Sequence, residues 1–527
     1  MKQEMVDVAI VGYGPVSKLL TALLGHKGWK VGVYERFSEA YPLPRAVHLD
    51  DEVARMLQTI LPKSELERIL QPVPDLYEWR NAERQLLLAL DFSQEGISGW
   101  PGHLFFNQPE LEKVMDVACS NQSTVNVNMG KEAISLREFD DHVELTVKDQ
   151  EGEVRTIHAK YVVGCDGANS FVRQTMDPTI TDLGFAADWL VVDIVTKEER
   201  EWNPMNLQLC DPARPTTVVS GGPGKRRWEF MALPGETKEK LNNEDVAWRL
   251  LEPWDINSSN AVLERHAVYT FKALWADEWQ KGRLILAGDA AHLTPPFMGQ
   301  GMCSGLRDSM NLAWKLDLIL SGKAADSILK TYTAERKPHI REVVEAALFL
   351  GTVICVTDPQ EARKRDEAFF TGSVPEFPEF PFLTEGMLYQ STDGKNKYTG
   401  KLSFQGQVEY RGKTGLFDDV VGNGWTIMSP LNDPKQVLTE EQMEFLASIG
   451  AKFIEISESL EGKEVLSDIA VDVDGKYKQY FNETGLEAVV VRPDFYIFGG
   501  AESLADLPLL VEDLSKQFDR FKIPALN

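Results

Sequence analysis

A glycine turn between two short apolar runs limits how this chain can fold more than any other stretch. The segment VDVAIVG leads into Gly12-Tyr13-Gly14-Pro15-Val16-Ser17, an apolar-periodic KLLTALLGHKG follows, and WKVGVYE ends at Glu35. Strand, turn, helix, strand reads as a βαβ unit, whose crossover belongs to a parallel sheet. In such a turn the first glycine permits the tight bend and the second lets backbone N–H groups approach a pyrophosphate at the helix N-terminus. Gly12, Gly14, Pro15 and Val16 are therefore the expected cofactor-facing positions. Ser17 stands where the third glycine of the fingerprint belongs, a position that mainly serves close helix–sheet packing and tolerates a small side chain. Glu35 follows Gly14 by 21 residues, close to the ~20-residue offset at which an acid takes ribose hydroxyls. An unrelated glycine turn remains open on the loop alone and is less favoured once Glu35 is counted.

A second block, RLILAGDAAHLTPPFMGQGMCSGLRDSMNLAWKL, carries more information. An apolar strand ends at Gly288-Asp289, and a Pro/Gly loop leads into a helix starting near Met302. A carboxylate at a strand end can accept hydrogen bonds from a polyol chain, and the helix aims its positive end beyond the loop. KYVVGCDG reads as another buried strand of the same sheet, whereas WLVVDIVT, TTVVSGG and RRWEFMALP suit an inserted antiparallel sheet. DSILKTYTAERKPHIREVVEAALFLGTVI reads as one or two helices interrupted near Pro338. The proline-rich stretch 372–386 marks a boundary, and beyond it GWTIMSP, KFIEIS, YFNETG and AVVVRPDFYIFGG read as strands alternating with two helical stretches.

A chain of 527 residues suits two or three domains. Its five cysteines are scattered without a CxxC pair, which argues against a disulfide framework or a zinc site, and no metal is expected. With 81 acidic against 55 basic residues the net charge of −26 disfavours nucleic acid and anionic lipid as partners. No run approaches the length of a membrane span and no secretory signal is legible, so a cytoplasmic location is expected.

GxGP…ER at residues 12–36, Arg45-Ala46, Gln108, Cys165-Asp166-Gly167 and Gly288-Asp289-Ala290-Ala291-His292 together resemble the FAD-dependent aromatic hydroxylases of the para-hydroxybenzoate and phenol hydroxylase type. PRAVHLDDEVARML, LCDPARP, RRWEFMALPGETKEKL and GMCSGLRDSMNLAWKL look most like the 3-(3-hydroxyphenyl)propionate hydroxylase branch. The resemblance implies an α/β fold: a Rossmann-like FAD-binding domain in two parts (1–180 and 281–371), an inserted substrate-binding sheet (181–280), a linker (372–400) and a thioredoxin-like C-terminal domain (401–527). That last domain lacks the CxxC of thiol exchange, so packing or a homodimer contact is its expected role.

Carried over by the same resemblance, Gly12, Gly14, Glu35 and Arg36 would hold the ADP half, and Arg45, Ala46 and Gln108 the pyrophosphate and ribityl chain. Gly288 and Asp289 would complete the ribityl grip, Pro296, Gly301 and Met302 would lie along the isoalloxazine, and Asp166 would serve FAD and NAD(P)H. Arg173 pairs with Asp166 as structure on the alternative reading. The implied reaction is reduction of FAD by NADH or NADPH, then O2 chemistry through a flavin C4a-hydroperoxide that hydroxylates a phenolic ring.

Phenols ionise near ~10, so a base is needed at neutral pH. His48, three residues after Arg45, is the candidate, with a structural histidine as the alternative. His292 is expected to be structural. Arg226, with Trp228 and Phe230, is the candidate substrate wall, although strand alternation turns only one of Arg226 and Arg227 inward. An FAD oxidase or dehydrogenase, an epoxidase acting on a polyketide ring, and an FAD-bound scaffold without hydroxylase activity stay open at this stage.

Overall fold

Valine and isoleucine, stiff at χ1 and well suited to a pleated surface, dominate the strands that build the first layer. A computed structural model describes residues 4–39, 42–374, 379–391, 396–460 and 468–522. In it Glu4–Val11 pairs in parallel with Val31–Glu35 on one side and with Val154–Gly164 on the other. Leu284–Leu286 and Val125–Met129 extend the parallel sheet outward. Lys131–Glu138 and Val143–Asp149 form an antiparallel ribbon on the same Val154–Gly164 strand. The sheet's central residues Val8, Ile10, Val33, Val162 and Val163 are fully buried, as strands covered on both faces must be.

The second sheet has eight strands and is not confined to residues 181–280. Its centre is Ile180–Thr196, flanked by Ala261–Ala276 and Lys225–Met231, and it recruits Leu76–Asn81 and Leu86–Asp91 from the first part of the chain. Asn206–Cys210 pairs in parallel with Leu76–Asn81, which leaves Leu86–Asp91 at that edge.

The helix Gly301–Leu320 runs through the interior with most of its residues buried. Leu329–Ile354 follows as one continuous helix that passes through Pro338 without a break. Proline removes one backbone bond, and packing of the buried Tyr332, Ile340, Val343 and Val344 along the same helix outweighs that loss.

In the C-terminal sheet, Thr426–Ser429 is parallel to Lys452–Ser457 and antiparallel to Ala488–Val491, which pairs in turn with Ile497–Ala501. The segment YFNETG, read from sequence as a strand, ends the helix Lys476–Thr484 instead. Tyr477 and Phe481, four residues apart, are both buried on one helical face, and Gly485 closes the helix at φ +69°. No helix among the described residues is long and apolar enough to cross a membrane.

Candidate active site

Where Glu4–Val11 and Val154–Gly164 end side by side, the chain needs a residue without a side chain. Gly12 sits at φ +95°, and a Cβ there would lie 2.4 Å from the Cys165 carbonyl oxygen. Gly14, at the N-cap of the helix Pro15–His26, has open space where its Cβ would stand. The Glu35 carboxylate accepts hydrogen bonds from the Tyr13 N–H and the Phe37 N–H, both at 3.0 Å, and so fixes the turn. Arg36 is exposed and lies over the Phe37 ring. Val16 does not turn its side chain to the cleft: Cβ atoms on Gly288 and Gly305 would come within 3.0 and 2.5 Å of its Cγ2. Its side chain instead locks the turn to the second block, leaving only its backbone for a phosphate. Ser17 is fully buried in the place of the third glycine.

Gln108 acts on the backbone of Arg45 and Ala46, accepting from their N–H groups at 3.1 and 2.7 Å while donating to Glu112 at 2.8 Å. Asp289 is exposed to the cleft yet ringed by protein. Desolvation raises its pKa above the ordinary carboxylate value, opposed by His292, Arg45 and Arg173. Arg173 donates to the carbonyls of Ala290 (2.7 Å), Asp289 (3.2 Å) and Ala168, fastening the GDAA loop. Asp166 starts the Phe171–Met176 helix, accepting from the Ser170 hydroxyl and from the N–H groups of Phe171 and Val172. His292 is structural in its contacts: its Nε2 lies 2.7 Å from Asp308, which also accepts from Gly288 N–H and Arg336.

Pro296–Met298 forms a tight turn, Gly299 follows at φ +66°, and the helix begins at Gly301, where a Cβ would meet nothing within 4 Å. Arg307, one and a half turns into that helix, binds Glu52 at 2.6 Å, Asp50 at 2.7 Å and the Gln300 side chain at 2.9 Å. It ties the helix start to the strand His48–Asp50.

His48 lies on that strand with its Nδ1 against Gly299, where a Cβ would approach to 2.7 Å. Its Nε2 is 3.0 Å from Nδ1 of His103, a residue the sequence did not single out. Phe92 stacks on His103 with centroids 3.7 Å apart, and Tyr77 meets Phe92 edge-on. Burial lowers the pKa of both imidazoles, that of His103 to about 4, so both are neutral at pH 7.

The inserted sheet corrects the expected substrate wall. Arg226, Trp228 and Phe230 point to the outer face, where Trp228 and Phe230 pack with Leu190, Val192, Leu241 and Leu251, and Arg226 lies over Trp202. Alternation puts Arg227 and Glu229 on the inner face. Arg227 there bonds Asp193 at 2.7 Å and the carbonyls of Arg45 (2.5 Å) and Pro44 (2.9 Å). Arg265 also reaches Asp193, at 3.3 Å.

Two helix N-termini with open glycine positions, together with the Glu35 and Asp289 carboxylates, make a donor set that fits a dinucleotide joined to a polyol and a ring. Residues 5–347 match the FAD binding domain family and residues 400–517 the HcaD C-terminal domain family. The chain belongs to the FAD-dependent aromatic hydroxylases, binds FAD, and is a flavin monooxygenase.

Among similar proteins, a probable NADH-specific resorcinol 4-hydroxylase of Rhodococcus jostii is 36% identical, over 97% of this chain and 95% of that one. A 3-(3-hydroxy-phenyl)propionate/3-hydroxycinnamic acid hydroxylase of Shigella sonnei is 30% identical, over 93% and 91%. The fold is shared with the flavin-dependent monooxygenase PieE, solved with FAD and substrate, at a TM-score of 0.80 and 18% identity, over 98% of this chain and 99% of that one.

Proposed function

We propose that this enzyme uses NADH and O2 to hydroxylate a small uncharged phenol of the resorcinol kind, with His48 as the base that takes the ring hydroxyl's proton. The observation that carries the reading is the hydrogen-bonded His48–His103 pair beside Gly299. FAD, held by Gly12, Gly14, Glu35, Arg45, Gln108, Asp289 and the Gly301 helix start, supplies the redox chemistry with O2. With its Nε2 3.0 Å from Nδ1 of His103, His48 shares a proton path with a ring that is only partly buried and can return the proton to solvent. Phe92, Tyr77 and Phe297 supply apolar walls that exclude water.

Resorcinol is favoured over an aromatic acid because the two inner-face guanidinium groups, Arg227 and Arg265, are both engaged by Asp193, and Glu229 adds a further acid. A substrate carboxylate would have to break one of these buried pairs. The 36%-identical resorcinol hydroxylase supports both this substrate class and NADH.

The test is a pH profile of kcat/KM with resorcinol, NADH and the FAD-loaded enzyme. A neutral His48 predicts an acid limb below the ordinary histidine value of 6.5, and His48→Asn should lose about 100-fold or more in hydroxylation while retaining FAD. An unchanged limb in His48→Asn contradicts the assignment. Greater kcat/KM with 3-(3-hydroxyphenyl)propionate than with resorcinol contradicts the uncharged substrate.

We further read the C-terminal domain as thioredoxin-like. Its parallel pair joined through the helix Glu440–Ser448, followed by an antiparallel hairpin and a final helix Leu507–Asp519, supports that reading.

A further inference from the structure

Away from the flavin cleft, three potential metal-ligating side chains meet on the antiparallel ribbon. Glu144 and His158 are directly opposed across the strands Val143–Asp149 and Val154–Gly164, and His142 precedes Glu144 by two positions, which puts it on the same face. The ligand-capable atoms of all three lie within 4.8 Å of one another, and His158 Nε2 is already 3.6 Å from Glu144 Oε1. Tetrahedral zinc, with bonds of ~2.0–2.1 Å, sets its ligand atoms about 3.4 Å apart, so modest side-chain rotation completes the set.

The two histidines are prepared for this. Nε2 of His142 and Nε2 of His158 are both buried and have no hydrogen-bond partner among the described residues, an arrangement that costs free energy unless something fills it. On the other side of the His142 ring, Nδ1 is 2.7 Å from the Asp141 carboxylate. A carboxylate at Nδ1 holds the proton there and turns the Nε2 lone pair outward, as in metal sites whose ligating histidines are oriented from behind. Phe139 stacks on the His142 ring with centroids 4.7 Å apart, and His142 in turn stacks on His158 at 4.6 Å, which restricts both rings.

We propose that His142, Glu144 and His158 form a divalent transition-metal site, with zinc the favoured ion and water completing the coordination. Two imidazoles and one carboxylate suit zinc better than magnesium or calcium, which take oxygen ligands. The ion bridges Val143–Asp149 and Val154–Gly164. Because the inner strand continues to Gly164 and the Cys165-Asp166 turn behind Gly12, bound metal stiffens the frame of the cofactor turn from outside. His158 is eight residues from Asp166, about 26 Å of extended strand, so the site acts on stability and not on the chemical step.

The test uses FAD-loaded full-length enzyme stripped with chelator and titrated with Zn2+ by calorimetry, with Co2+ absorption above the flavin bands as a second readout. One equivalent should bind and raise Tm. His158→Ala and His142→Ala should each weaken binding by 10-fold or more and abolish the Tm rise, and Asp141→Asn should weaken it about 10-fold. FAD content and circular dichroism verify that each variant is folded, and His158→Asn replaces any that is not. No stoichiometric binding to the wild type, or equal affinity in the His142→Ala/His158→Ala double variant, overturns the proposal.

Discussion

Gly12 and His48 are each held by one close backbone approach. At Gly12 a methyl group would overlap the Cys165 carbonyl at an already left-handed φ. Gly12→Ala should cost about 1–3 kcal/mol from backbone strain alone and yield protein with little bound FAD; a fully yellow variant of wild-type Tm contradicts this. The His48–His103 pair has a stability consequence. Above 6.5 His103 is neutral folded or unfolded; between 6.5 and about 4 the unfolded chain takes a proton that the folded one refuses. Stability contributed by His103 is therefore complete above 6.5 and declines as pH falls toward 4, by on the order of 1–3 kcal/mol. Thermal unfolding against pH should be flatter in His103→Asn, and an identical slope contradicts the depressed value. At this scale Gly12, Glu35 and Asp289 could be singled out from sequence because their spacing follows from one turn and one strand end. His103 stayed hidden because it is 55 residues from His48, and Arg226 was preferred over Arg227 because strand parity cannot be assigned without knowing which face is covered.

Among the elements, the helix Gly301–Leu320 decides whether the cleft is preformed. Its start is clamped to the strand His48–Asp50 through Arg307, which is buried with Asp50 and Glu52. Removing one partner of a buried ion pair costs about 3–5 kcal/mol. Arg307→Ala should destabilise by that amount in denaturant unfolding and weaken FAD retention, whereas a loss below about 1 kcal/mol would show the clamp to be incidental. This helix was legible from its Pro/Gly entry and apolar period. The helix through Pro338 and the one ending in YFNETG were misread because local breaker and strand signals were overruled by packing: Pro338 lies within a helix that buries Tyr332, Ile340, Val343 and Val344 on one face, and Tyr477 and Phe481 fill a core. The recruitment of Leu76–Asp91 into the inserted sheet is a long-range pairing with no local signal.

The whole molecule is joined by charges that the sequence displays as ordinary surface runs. Arg492 and Asp494 of the C-terminal domain meet Glu335, Lys315 and Asn311 of the two long helices, all buried. Burial alone would raise Glu335, but Arg492 and Lys315 outweigh it and hold it down to about 2, while burial brings Lys315 down to about 8. Arg55 adds a second link, to Asp418 and the Ser403 carbonyl. Calorimetry should show the two domains unfolding in one transition in the wild type and in two transitions in Arg492→Ala; separate transitions in the wild type would mean that the network does not couple them. The two nucleotide motifs are local, and the expected linker lies partly outside the described residues, at 375–378 and 392–395; this interface, by contrast, pairs residues more than 150 positions apart.

An aromatic hydroxylase places one oxygen atom of O2 on its substrate's ring. Turnover of the FAD-loaded protein with resorcinol and NADH under 18O2, with product and hydrogen peroxide both quantified, tests this directly. One 18O atom in the ring product for each NADH consumed is the predicted result. NADH consumption that yields hydrogen peroxide and no labelled ring product, with resorcinol or any other phenol, would contradict it.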